Sequence, residues 1–102
     1  MYFVIYALDR PDAQELRLKT RPVHRDYLRR PDSPVKLKLA GPLLGLDGET
    51  MVGSMIIVEA DSLATVEAFC KDDPYRKAGV VGSFTIRQWN WTTGNPDLSE
   101  AA

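Results

Sequence analysis

The succession of hydrophobic runs predicts an α+β fold of ferredoxin-like type, βαββαβ: a four-stranded antiparallel sheet with helices on one face. Three observations lead there. Runs rich in aromatic and β-branched residues at 2–8, 51–58 and 80–91, and an alternating run at 35–41, supply four strands. Segments with helical spacing and proline or aspartate starts separate the first strand from the second and the third from the fourth. The first and third runs are apolar on both parities, which suits strands covered on both faces, and this chain order puts strands one and three in the middle of the sheet.

The chain has 102 residues, a length that suits one domain with a thin core. We read residues 1–91 as that domain and 92–102 as a polar, loosely held tail. Apolar content of 44% and charged content of 26% are ordinary for a soluble domain. Thirteen basic and 14 acidic residues leave a net charge of -1, so nothing pulls the whole molecule toward nucleic acid or acidic membrane. The single cysteine, Cys70, excludes an internal disulfide and a cysteine-rich zinc cage. The opening run is too short for a signal core or a membrane span, and a cytoplasmic location is expected. There is no internal repeat and no low-complexity segment.

Taken in order, the opening strand places Tyr2, Val4, Tyr6 and Leu8 on one face and Phe3, Ile5 and Ala7 on the other. Asp9-Arg10-Pro11-Asp12 breaks it, and Asp9 or Asp12 is a candidate cap for the helix that follows. A short helix is expected over 13–19, anchored by Leu16 and stopped by Pro22. A second is expected from Pro22 to about Arg30, with Val23, Tyr27 and Leu28 as its apolar stripe, before Pro31-Asp32-Ser33-Pro34 ends it. The run 35–41 alternates leucine with lysine, so one face is wet, and the lysines suit an edge strand. Gly41-Pro42 closes it or introduces a bulge, and Asp47-Gly48 marks the turn of a hairpin into the third strand. Asp61-Ser62 caps a helix carrying Leu63, Val66, Phe69 and Cys70 on one face. Asp73 before Pro74 starts one further turn that Gly79 ends. On the last strand Phe84 and Ile86 share one parity, and Thr85, Arg87, Trp89 and Trp91 the other.

Two helix segments cover only one face of such a sheet. The uncovered face would expose a large apolar patch, so either the tail folds back or two copies pack sheet against sheet, as in a dimeric α+β barrel. The tail has few large apolar residues, and a homodimer is therefore expected.

Candidate chemistry centres on His24, the only histidine. Read as lying in the first turn after a proline break, its imidazole is kept neutral by the helix dipole and is able to act as a general base. The plain alternative is a surface histidine on an amphipathic helix. Asp72-Asp73-Pro74-Tyr75 offers a carboxylate that could orient the imidazole, or simply a helix cap. Arg21 and Arg25 flank His24 and could hold a carboxylate, phosphate or phenolate, or could be a solvated helix face. Ser54 could line a pocket or be a small residue under a helix. Gly41 and Gly53 could allow close backbone approach. Cys70 reads as core, and the two tryptophans as interface. One histidine and no cysteine pair make a poor transition-metal set, and no phosphate loop or Gly-x-Ser-x-Gly motif occurs, so neither metal nor cofactor is expected.

At these residues the chain resembles the YCII-related (YciI-like) family over positions 1 to about 91. The resemblance rests on the opening strand, Arg21-Pro22-Val23-His24, Ala40-Gly41-Pro42-Leu43, Gly53-Ser54, and Asp72-Asp73-Pro74-Tyr75 followed by Ala78-Gly79-Val80. It implies a dimer with a pocket near the interface, holding a histidine and an aspartate that match His24 and Asp73. Family members are mostly of unknown activity, and a related enzyme is a dehydrochlorinase acting on a chlorinated hydroxyquinol. The two prolines at 31 and 34 depart from the plainer connection of the family and bear on the pocket rim. The reading that follows is a cofactor-free lyase or hydrolase acting on a small oxygenated compound, aromatic ones included. His24 would be its base, Asp73 the orienter, and Arg21, Ser54, Gly41 and Tyr75 the substrate contacts. The alternatives are a non-catalytic dimer that binds a small metabolite or anion, and a purely structural dimer.

Overall fold

The computed structural model describes residues 1–97. The elements are β1 (Tyr2–Asp9), α1 (Gln14–Arg29), β2 (Lys36–Leu44), β3 (Met51–Glu59), α2 (Leu63–Lys71), α3 (Pro74–Lys77) and β4 (Val81–Trp89). The sheet order is β2-β3-β1-β4 with every pairing antiparallel, the ferredoxin-like arrangement. The doubly apolar strands are central and the lysine-bearing strand is at an edge, as their patterning requires.

Facing pairs fix the two sides of the sheet. Phe3, Ile5 and Ala7 lie opposite Val58, Ile56 and Ser54 on one side and Gln88, Ile86 and Phe84 on the other. This row faces the helices. Phe3, Ile5, Ile56 and Val58 pack there with Leu28, Val66, Phe69 and Cys70 as the core. Burial pushes the Cys70 thiol up to about 12, so it is an uncharged core group. Ser62 accepts a hydrogen bond from the Thr65 backbone N–H, which fixes the start of α2. Gly48 takes a φ of 71° in the hairpin loop, where Asp47 Oδ1 accepts from the N–H groups of Glu49 and Thr50.

The helical region departs from expectation. One helix, α1, runs through Pro22 rather than two meeting there. Proline removes the bond to the Leu18 carbonyl, but Leu18 and Pro22 are both exposed, so water can take up that carbonyl. The residues that α1 buries are Arg17, His24 and Leu28, at helical spacing across the proline. A continuous buried stripe outweighs one lost bond on the wet side. Leu16 and Val23, expected as anchors, are 37% and 59% exposed. Neither Asp9 nor Asp12 caps the helix; Ala13 stands at its N-cap without a side-chain bond. His24 is therefore mid-helix, not in a first turn, and the dipole argument for its neutrality does not apply. Leu63, at the start of α2, is 47% exposed rather than part of the core stripe.

Two further corrections concern the sheet's edges. β2 continues through Gly41-Pro42 to Leu44, with a register shift between Leu37 and Leu39 that leaves Lys38 as a bulge. Lys38 bonds to Asp97 and lies 3.6 Å from Glu59, so its side chain is 10% exposed rather than free in water. β4 stops at Trp89, and Trp91 instead turns back. Its ring stacks on Trp89 at 5.3 Å and meets Tyr2 edge-on at 5.5 Å. Trp91 Nε1 donates to the Thr93 carbonyl, and Asn95 is buried. Residues 91–97 thus cover the end of the open sheet face near Tyr2 and Glu59. Asn95 and Asp97 tie the first part of the expected tail to the domain, and 98–102 lie outside the described residues. The remainder of that face keeps Tyr6, Leu8 and Met55 at least 40% exposed.

Candidate functional site

Between α1 and the β2–β3 edge lies a cleft of about 380 Å³, in the size range of small-molecule sites. Arg17, Arg21, His24, Arg25 and Arg29 line it from the helix, Gly41 and its neighbours from β2, Ser54 and Ile56 from β3, and Tyr75 from α3.

His24 is 6% exposed and Asp73 9%. His24 Nδ1 lies 2.8 Å from Asp73 Oδ1. The same oxygen accepts the backbone N–H of Tyr75 at 2.9 Å, so Asp73 caps α3 and also faces the imidazole. A carboxylate beside Nδ1 favours the proton on that nitrogen, which leaves Nε2 with its lone pair. The helix-capping and imidazole-facing roles, both open in the sequence, coexist because one carboxylate oxygen has room for both donors.

Tyr75 is buried, and its ring stacks on the imidazole with centroids 3.7 Å apart and planes 15° apart. The Arg17 guanidinium lies 4.5 Å from the same ring. The tyrosine ring thus touches both the cation and the imidazole. Burial raises the Tyr75 hydroxyl's pKa, with Arg17 and Arg21 pulling the other way.

Two residues of this network escaped the sequence reading. Arg17 is 3% exposed. Its Nε donates to Asp9 Oδ2 at 2.7 Å and its Nη2 to Asp9 Oδ1 at 3.1 Å, a two-pronged pair. Nη2 also donates to Ser54 Oγ at 2.6 Å. The available signal was positional: Ala13, Arg17, His24 and Leu28 share one helical face, but a charged residue on it reads as solvent-facing.

The remaining candidates sort as follows. Ser54 is buried in the cleft wall, and Arg21 is half-buried at its rim. Arg25 is exposed. Gly41 lines the cleft, but a Cβ there would meet nothing within 4 Å, so no close approach demands glycine. Gly53 is different: a Cβ would sit 2.2 Å from the Ala7 carbonyl oxygen. No three His, Cys, Asp or Glu side chains converge as a metal set among the described residues. No helix among them is long and apolar enough to cross a membrane.

A model of the YCII-related domain matches residues 1–90. The chain belongs to the YCII-related family. Protein YciI of Escherichia coli O6:H1 is 35% identical over 92 residues, which cover 85% of this chain and 94% of that protein. An uncharacterized protein of Haemophilus influenzae is 32% identical with the same coverage. Among solved structures, 5-chloro-2-hydroxyhydroquinone dehydrochlorinase (TftG) from Burkholderia phenoliruptrix, in complex with 2,5-dihydroxybenzoquinone, superposes with a TM-score of 0.77 at 33% identity. The match covers 88% of this chain and 94% of the dehydrochlorinase. The two chains therefore share one fold.

Proposed function

We propose that this protein is a cofactor-free lyase or hydrolase that removes a proton from a small oxygenated ring compound, in the manner of a dehydrochlorinase. The observation that carries the reading is the 2.8 Å approach of His24 Nδ1 to Asp73 Oδ1, where His24 itself lines a cleft of ligand size. His24 Nε2 is the base, and Asp73 holds the tautomer and balances the imidazolium once it forms. Tyr75 fixes the ring plane from behind. Arg21, Ser54, Gly41 and Tyr75 are the substrate contacts. The likeness to a dehydrochlorinase at 33% identity supports the reaction class. A halide leaving group needs no acid catalyst, so one base suffices for such an elimination.

A homodimer is part of this reading. Tyr6, Leu8 and Met55 on the open sheet face form an apolar surface that a second copy would cover. A cytoplasmic setting fits a buried, unpaired Cys70.

The test is turnover of chlorinated hydroxyquinols, read as chloride release, by wild type and His24→Ala. Chloride from the wild type and at least a hundredfold less from the variant is expected. A second reading, a binding module for an organic anion, draws on Arg21, Arg25 and Arg29, which line the cleft and have no carboxylate partner among the described residues. Quinol binding by both proteins with no chloride from either would favour it.

A further inference from the structure

Arg17 has no part in the proton transfer proposed above, yet it is a deeply buried charge on the same cleft. Its pairing with Asp9 neutralises it and fixes its plane. The consequence falls on Ser54. A guanidinium only donates hydrogen bonds, so Ser54 Oγ is the acceptor of the 2.6 Å bond from Arg17 Nη2. The hydroxyl proton must then point elsewhere, and no described protein group accepts it. Ser54 is 7% exposed, and its open side is the cleft that it shares with His24. A hydroxyl that accepts from a cation is polarised into a stronger donor.

We propose that Ser54 is the oxyanion donor of this cleft, and that Arg17, pinned by Asp9, is the positioning residue that aims and polarises it. The proposal rests on the general-base reading and deepens it by naming the substrate class: compounds whose acidic C–H or O–H is conjugated to a carbonyl or quinoid oxygen. His24 Nε2 takes the proton, and the bond pair moves through the conjugated system onto that oxygen. The oxygen, now an enolate or phenolate, receives the Ser54 hydrogen bond. In an elimination the pair returns as the leaving anion departs, and no other reactant is needed. A fixed donor in a water-poor wall favours charge that develops during reaction more than a solvated guanidinium does. This is why the role falls to Ser54 and not to the more exposed Arg25. Arg21, Arg25 and Arg29 add a positive field, and no carboxylate lines the cleft among the described residues.

The test uses para-nitrophenol and chlorinated para-nitrophenols of graded acidity as probes. Their phenolates absorb in the visible and the neutral phenols do not, so absorbance reports the protonation state of the bound probe. Wild type is expected to bind phenolate at least about tenfold more tightly than phenol, the scale of one hydrogen bond to a charged group. Ser54→Ala should lose most of that preference, and Ser54→Thr should restore it. The double variant Asp9→Asn, Arg17→Gln removes both charges together and should weaken the preference with the hydroxyl still in place. An equal preference in wild type and Ser54→Ala, or none in wild type, overturns the proposal. His24→Ala separates it from the base reading, since that variant should lose turnover while the part of the phenolate preference that Ser54→Ala removes is still present. A Ser54-dependent preference without turnover of any enolisable compound sinks the base alone. Turnover and probe preference unchanged in Ser54→Ala sink the oxyanion donor alone.

Discussion

Asp73 does two jobs through one oxygen, and substitution can separate them. Asparagine caps a helix about as well as aspartate does, so Asp73→Asn should leave stability within about 0.5 kcal/mol. It loses the charge that balances an imidazolium and can present its NH₂ group to His24, which favours the wrong tautomer. Turnover is then expected to fall by roughly 10²–10⁴. Asp73→Ala should add a stability loss of about 1 kcal/mol from the missing cap. Urea unfolding beside chloride release checks both; equal stability loss in the two variants would contradict the division. The histidine and this aspartate were both open to view in the sequence as residue types. Their separation by 49 positions hid the contact, which exists only because α1 and the α2–α3 corner pack on the same face of the sheet.

At the scale of elements, α1 shows how local rules are outvoted. Pro22 argues for two helices by removing a donor and crowding the preceding turn. The helix continues because the missing bond faces water, while Arg17, His24 and Leu28 keep one line toward the sheet. Thr20 Oγ1 also donates to the Leu16 carbonyl, a local bond that tends to bend a helix. Pro22→Ala should therefore restore a backbone bond at an exposed site, with part of the gain offset by a more flexible unfolded chain. The expected net is a stabilisation of about 1 kcal/mol, read as a higher urea midpoint at unchanged slope. The strands behaved more simply. Their parity fixed which were central because a strand's two faces alternate strictly, whereas a helix with a polar buried stripe gives no apolar signature. Leu16 and Val23, expected as anchors, are exposed, whereas Tyr27 and Leu28 of the same expected stripe pack on the core.

At the scale of the whole molecule, two expectations concern the sheet and the core. If the open face joins two copies, Tyr6→Lys together with Met55→Lys should convert dimer to monomer in sedimentation or light scattering, since buried like charges meet across a two-fold axis. A wild-type protein that is monomeric at high micromolar concentration would remove the dimer from the reading. The core predicts an alkaline limit. Burial, the largest influence, pushes Cys70 from 9.0 to about 12, and it pushes Tyr27 from 10.0 to about 12. Between about pH 9 and pH 12 the unfolded chain sheds these protons and the folded one keeps them. The unfolded state then binds fewer protons, so stability falls as pH rises through that window. Below about pH 9 the contribution is complete. Urea midpoints should drop between neutral pH and about pH 10, and less steeply in Cys70→Ala.

By itself the sequence determined the strand order, the edges, the caps at Ser62 and Asp73, and the family. All of these follow from patterns within a few neighbouring residues or from the spacing of short motifs. Only the tertiary structure decided the rest. It turned Arg17 inward onto Asp9 and Ser54, set Tyr75 against both that guanidinium and His24, and brought Trp91 and Asp97 back over the sheet end. Each is a contact between distant segments. Burying a charge there is tolerated only because its counter-charge arrives from another element, and periodicity along a single helix carries no information about what the neighbouring element will bring.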